Sequence, residues 1–237
     1  MFDPMPPYSM PQDYGSVHFK PWIGCDYKTG GIAGQKILIL GESHYTKKFI
    51  AEPPEKTTHY TRHIMQWAAV KHNRSFYSKV RNLVLRGANQ PVRGYGREAK
   101  RQQFWDSLAF YNYVQEYVGM APRDRPTNQM WTKAEGAFWE VINILKPDVC
   151  IVLGNTLWGK LPQAGAMEFS AVSSFTDSAT GIQLKKYSIG THETLMVHTP
   201  HPASFGLFKR KKVVPLAKRL FELCDSSTTK LSSMAEQ

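Results

Sequence analysis

The sequence predicts an α/β fold: a single domain with a central four-stranded, mostly parallel sheet and helices on both faces. Three observations predict it. Two apolar runs, Ile37-Leu38-Ile39-Leu40 and Val149-Cys150-Ile151-Val152-Leu153, each end at a glycine, Gly41 and Gly154, as strands buried on both faces do. Segments with helical spacing stand between the strands, the alternation that builds a parallel sheet. Polar residues follow the strand ends, and in open α/β sheets that edge is where ligands bind.

Residues 1–35 are rich in Pro, Gly and Tyr and read as an extended arm packed on the domain, which spans 36–225. The first strand is 36–40. Thr46 to Arg62 contains Pro53-Pro54 and few aliphatics, so it reads as a loop over the strand end. His59 and His63 have a spacing that suits a metal ion on a helix, but two imidazoles do not make a site and no metal is expected. Ser75 is placed as the N-cap of a helix with Phe76, Val80, Leu83 and Val84 on one face, ending at Gly87. A basic loop over 88–103 leads to a second strand, Leu108-Ala109-Phe110-Tyr111-Asn112. Thr132-Lys133-Ala134-Glu135 has the capping-box pattern, and Phe138, Val141, Ile142 and Leu145 continue it at helical spacing to Pro147. The third strand, 149–153, is followed by a short helix over 156–161. Alternating residues over 168–189 read as a hairpin or irregular insertion about Ser178-Ala179-Thr180-Gly181. Leu195-Met196-Val197 is the fourth strand, and it runs into His198-Thr199-Pro200-His201-Pro202-Ala203-Ser204-Phe205. Pro215 is expected to open a last helix through about Cys224, with a disordered Ser/Thr-rich tail over 226–237.

At 237 residues the chain suits one substantial domain rather than two. It has no apolar run of about 18 residues, so no membrane partner is expected. The start of the chain lacks the pattern of a secretory signal. Cys25, Cys150 and Cys224 are too scattered for a zinc or iron–sulfur set, which fits a reducing cytoplasm and no cofactor. Charge says more. Thirty Lys and Arg against nineteen Asp and Glu leave a formal charge of +11, and the pI is near 9.5. Such an excess favours a polyanion, nucleic acid first. It concentrates in Lys209-Arg210-Lys211-Lys212 and in Arg86, Arg93, Arg97, Lys100 and Arg101.

Three strand ends carry polar residues: Gly41-Glu42-Ser43-His44-Tyr45, Asn112, and His201-Pro202-Ala203-Ser204. In order and position these resemble the motifs of the uracil-DNA glycosylase superfamily, and Cys150 to Asn155 resembles a further recurring segment. The resemblance runs from Pro21-Trp22-Ile23-Gly24 to the last helix. It implies a monomeric DNA glycosylase that flips a base out of the duplex and cleaves its N-glycosidic bond. On that reading His201 donates to the pyrimidine O2 as negative charge grows there. Glu42, or Ser43 beside it, orients water or offsets the sugar cation. Gly41, His44, Tyr45 and Asn112 line the base, with Trp67 and Phe76 as candidate stacking rings. Phe205 would fill the vacated stack, and Ser204, Lys209, Arg210 and Lys211 would meet DNA.

The chain departs from the family pattern in two respects. The best-known branch has Asp where Ser43 stands, and the branch that has Glu in place of Glu42 carries an iron–sulfur cluster that these cysteines cannot hold. Divergence of this kind suits a modified pyrimidine, such as a glucosylated hydroxymethylcytosine of phage DNA met in bacterial defence, or else uracil. Two other readings stand beside it. One is a catalytically inactive nucleic-acid-binding protein on the same fold. The other is a serine hydrolase, because Ser43, Asp148 and His201 follow in the order of the α/β-hydrolase triad.

Overall fold

A computed structural model describes residues 15–46, 58–121, 124–204 and 206–235. Its strands are β1 (Trp22–Ile23), β2 (Ile37–Gly41), β3 (Ala109–Asn112), β4 (Val149–Leu153), β5 (Ser170–Thr176), β6 (Gln183–Ile189) and β7 (His192–Thr199). Its helices are α1 (Tyr60–Ile64, running on as a π-helical turn over Met65–Lys71), α2 (Ser75–Gly87), α3 (Glu98–Asp106), α4 (Asn128–Leu145), α5 (Asn155–Lys160) and α6 (Arg210–Ala235).

All seven strands form one mixed sheet in the order β1-β3-β2-β4-β7-β6-β5. The four expected strands lie together at its centre, paired in parallel as β3-β2-β4-β7. The expectation of a four-stranded sheet is therefore corrected to seven strands, three of whose pairings are antiparallel. Two features that periodicity understated cause the difference. The 168–189 segment is a true hairpin, β5–β6, and it joins the sheet because β6 pairs with β7. The arm supplies β1, whose Trp22 donates its indole N–H to the Trp105 carbonyl at 2.8 Å.

Strand alternation divides the core into two layers. Ile37, Ile39, Val149, Ile151 and Val197 pack with residues of the α1 π-helical turn, α2, α3 and α6 on one face. Leu38, Leu40, Cys150, Val152 and Met196 pack with α4 and Leu157 of α5 on the other. Burying an aliphatic side chain of this kind fully contributes roughly 1.5–3 kcal/mol, so both layers hold the central strands in place.

Helix boundaries shift in four places. Ser75 is the first residue of α2 and Arg74 its N-cap, with no side-chain cap bond. The end of the expected basic loop is α3, and Arg101 within it is buried. α4 begins four residues before the capping-box pattern, with the Thr127 hydroxyl accepting from Met130 N–H. α6 starts ahead of Pro215 and extends to Ala235, so the segment expected to be a disordered tail is helical that far. Neither Gly nor Pro occurs between Leu216 and Ala235 to stop it.

Candidate active site

The chain leaves β2 toward α1 and α2 on one face and leaves β4 into α5 on the other. This reversal makes a crevice at the carboxyl ends of β2 and β4, the switch point where α/β sheets take ligands. Glu42, Ser43, His44 and Tyr45 follow β2; Gly154 and Asn155 follow β4; Pro200 and His201 follow β7. Gly154 has φ +130°, a conformation that favours glycine. Its N–H donates to the Thr199 carbonyl at 2.8 Å, tying the β4 turn to the end of β7. A side chain at Gly154 would touch His201 Cβ, so the two loops lie side by side.

His201 is held from three directions. The Ala203 N–H donates to its Nδ1 at 3.2 Å, and Ser204 N–H donates to its carbonyl at 2.8 Å. The Phe76 ring lies 5.3 Å away, centroid to centroid. Lys79, three residues further along α2, donates to the Pro202 carbonyl at 2.7 Å and fastens the loop to that helix. A backbone amide can only donate, so Nδ1 is the acceptor and the ring hydrogen sits on Nε2. Burial, then the nearby charges of Arg125 and Lys79, lower the His201 pKa. The resting imidazole is neutral, with Nε2–H as its one donor.

Glu42 stands across the crevice with its side chain 14% exposed, and Arg125 Nη1 donates to its Oε1 at 3.1 Å. Arg125 therefore links the two sides: it binds the carboxylate and its charge reaches His201. Sequence reasoning missed both Arg125 and Lys79. The signals were a basic residue between Asp124 and Pro126 just before a helix, and a lysine three residues after Phe76.

His44 and Asn112 are turned inward. Asn112 Nδ2 lies 3.1 Å from His44 Nδ1 and 3.2 Å from Nε2, and 3.2 Å from the Ser43 carbonyl. His44 Nε2 meets the Thr61 hydroxyl at 2.8 Å, a group that can donate or accept, while the Asn112 amide can only donate and so needs an unprotonated ring nitrogen. Phe19 and Tyr60 close over the imidazole edge-on, each at 5.0 Å. Burial pushes the His44 pKa down to about 3. The pair shapes the β2 loop from beneath rather than lining the crevice with free donors. Gly41 belongs to this arrangement, because a Cβ there would overlap Asn112 Oδ1.

The remaining candidates are scattered around the edge. Tyr45 and Trp67 are each 44% exposed, and Ser43 and Ser204 are partly exposed. Lys209, Arg210 and Lys211 are exposed where α6 begins. Phe205 lies outside the described residues. No group of three or more His, Cys, Asp or Glu able to hold a metal ion occurs among the described residues. Asp148 sits at the amino end of β4, where Oδ2 accepts from Lys36 N–H at 2.6 Å. That places it at the opposite edge of the sheet from Ser43 and His201, so the serine-hydrolase triad is not assembled. No protein-family model matches the chain, and no curated protein matches it.

Proposed function

We propose that the chain is a monofunctional DNA glycosylase that extrudes and excises a modified pyrimidine, a hypermodified cytosine or uracil, leaving an abasic site. The observation that carries this reading is the neutral His201, fixed by the Ala203 amide with its hydrogen on Nε2 at the carboxyl edge of the sheet. Breaking an N-glycosidic bond leaves negative charge on the pyrimidine and positive charge on the sugar. A neutral imidazole donor stabilises the first as it develops, and a fixed donor of this type is worth roughly 10²–10³ in rate. Glu42 supplies the carboxylate that orients water or offsets the sugar cation. Arg125 holds that carboxylate in place until substrate enters. Phe76, packed on His201, offers a ring on which the extruded base stacks.

The engagement of Glu42 by Arg125 also favours a second reading, a nucleic-acid binder without catalysis. One assay separates them. Oligonucleotides carrying uracil, hydroxymethylcytosine or glucosylated hydroxymethylcytosine are incubated with the protein and treated with alkali to reveal abasic sites. Cleavage at one base, reduced roughly 10²–10³-fold in His201→Ala with DNA binding retained, supports the glycosylase. Salt-sensitive binding with no cut at any base supports the binder.

A further inference from the structure

No Asp or Glu occurs between Glu55 and Glu98, a stretch that carries nine Lys and Arg. Its described residues, from Thr58 on, fold as α1, the π-helical turn, α2 and the loop to α3, along one side of the crevice. Arg81 turns inward to the Asn73 amide oxygen at 2.8 Å, while Lys71, Arg74, Lys79, Arg93 and Arg97 are exposed. Trp67 stands in this basic surface. The bond from His72 N–H to the Trp67 carbonyl at 3.0 Å spans five residues. That wide turn buries Met65, Ala68, Ala69 and Val70 and leaves Trp67 outside, 44% exposed. Turns of this type recur at functional sites, and a tryptophan this open is unusual for so large an apolar ring. Arg74 lies 4.8 Å over the indole, and the His72 ring is also 4.8 Å away. Arg74 is the N-cap of α2, and Phe76, two residues on, touches His201. The platform and the candidate active site therefore share the first turn of α2.

We infer that Trp67 and Arg74 form a binding site for an unpaired nucleotide next to the extruded one, the indole stacking its base and the guanidinium meeting its phosphate. This rests on the nucleic-acid reading above and deepens it by specifying the strand form. A duplex shields the faces of its bases, so an exposed indole gains a stacking partner only where the strand is single or locally opened. The protein then prefers single-stranded DNA over duplex.

The test is equilibrium binding by fluorescence anisotropy, using the full chain with a labelled single-stranded DNA oligonucleotide and its blunt hairpin duplex. Trp67→Ala is expected to weaken single-strand binding roughly 5- to 150-fold, the range for one stacked base, with little change on the duplex. Trp67→Phe keeps a ring and is expected to retain most of the affinity. Arg74→Gln is expected to lower the salt slope on single strands by about 0.7. Wild-type protein that binds neither form overturns the nucleic-acid reading and this inference together. Wild-type binding that Trp67→Ala leaves unchanged, or weakens equally on both forms, overturns this inference alone.

Discussion

His44 has two hydrogen-bond partners, and only the neutral ring satisfies both. Protonation would put hydrogens on both nitrogens, facing the Asn112 amide with a donor, and would charge a group enclosed by Phe19 and Tyr60. Its pKa lies near 3 in the fold against 6.5 for the free group. The unfolded chain therefore takes up the proton first as pH falls. Stability from this residue is complete above about pH 6.5 and is lost from there down toward pH 3, by about 1.4 kcal/mol per pH unit. Urea denaturation from about pH 7.5 to about pH 5, bracketing the pKa of a free imidazole, reads that slope. His44→Gln, whose amide can still pair with Asn112 and Thr61, is expected to make it shallower, leaving the part carried by His18, His59, His198 and His201, whose pKa values burial also lowers. An unchanged slope would show that other groups carry the acid sensitivity. At this scale the sequence was a partial guide. Glu42, His44, Asn112 and His201 were legible because each follows a strand, but the sequence does not say which way a side chain turns after the strand ends. His44 and Asn112 turned inward because each could satisfy the other's polar atoms below the surface.

α2 and α6 pack against each other closely enough that the seam has room for a hydrogen and no more at Gly87. A methyl there would stand 2.7 Å from Ala217 Cβ and 3.0 Å from Phe221 Cε2. Gly87→Ala gains helix propensity but forces the helices apart, and overpacking of this kind costs about 1–3 kcal/mol. A lowered urea midpoint with an unchanged m-value is the expected result; a raised midpoint would mean that the seam yields. The consequence reaches the crevice, because α2 carries Phe76 and Lys79 and so positions His201. The helix itself was legible in its spacing of Val80, Leu83 and Val84 with Gly87 at the end, and so were the four central strands, whose apolar runs admit little else. The outer elements were not. β1 has only two residues, and β5 alternates without burying either face fully. Their place depends on partners distant in sequence, which local patterns do not encode.

Across the whole molecule, the charge of +11 is not uniformly available to a polyanion, and composition alone does not distinguish solvent-facing cations from structural ones. Arg101 belonged by sequence to the basic loop, yet its guanidinium is buried against the carbonyls of Val70, at 2.5 Å, Lys71, at 2.9 Å, and Gly96. It ties α3 to the turn that carries Trp67. Lys209, Arg210 and Lys211 are instead exposed where α6 begins. The two groups therefore respond to neutralisation in opposite ways. Changing Lys209, Arg210 and Lys211 to Gln is expected to leave the urea midpoint nearly unchanged. It should flatten the dependence of log affinity for duplex DNA on log salt by about 0.9 for each phosphate that no longer meets a cation. Arg101→Gln is expected to leave that slope in place while removing about 3 kcal/mol or more of stability, because the carbonyls lose a charged donor in a buried site. Salt titrations of DNA binding beside urea curves for the two variants measure both quantities. If Arg101→Gln flattened the salt slope at full stability, the guanidinium would be a DNA-binding group, and the separation of structural from binding charge would fail.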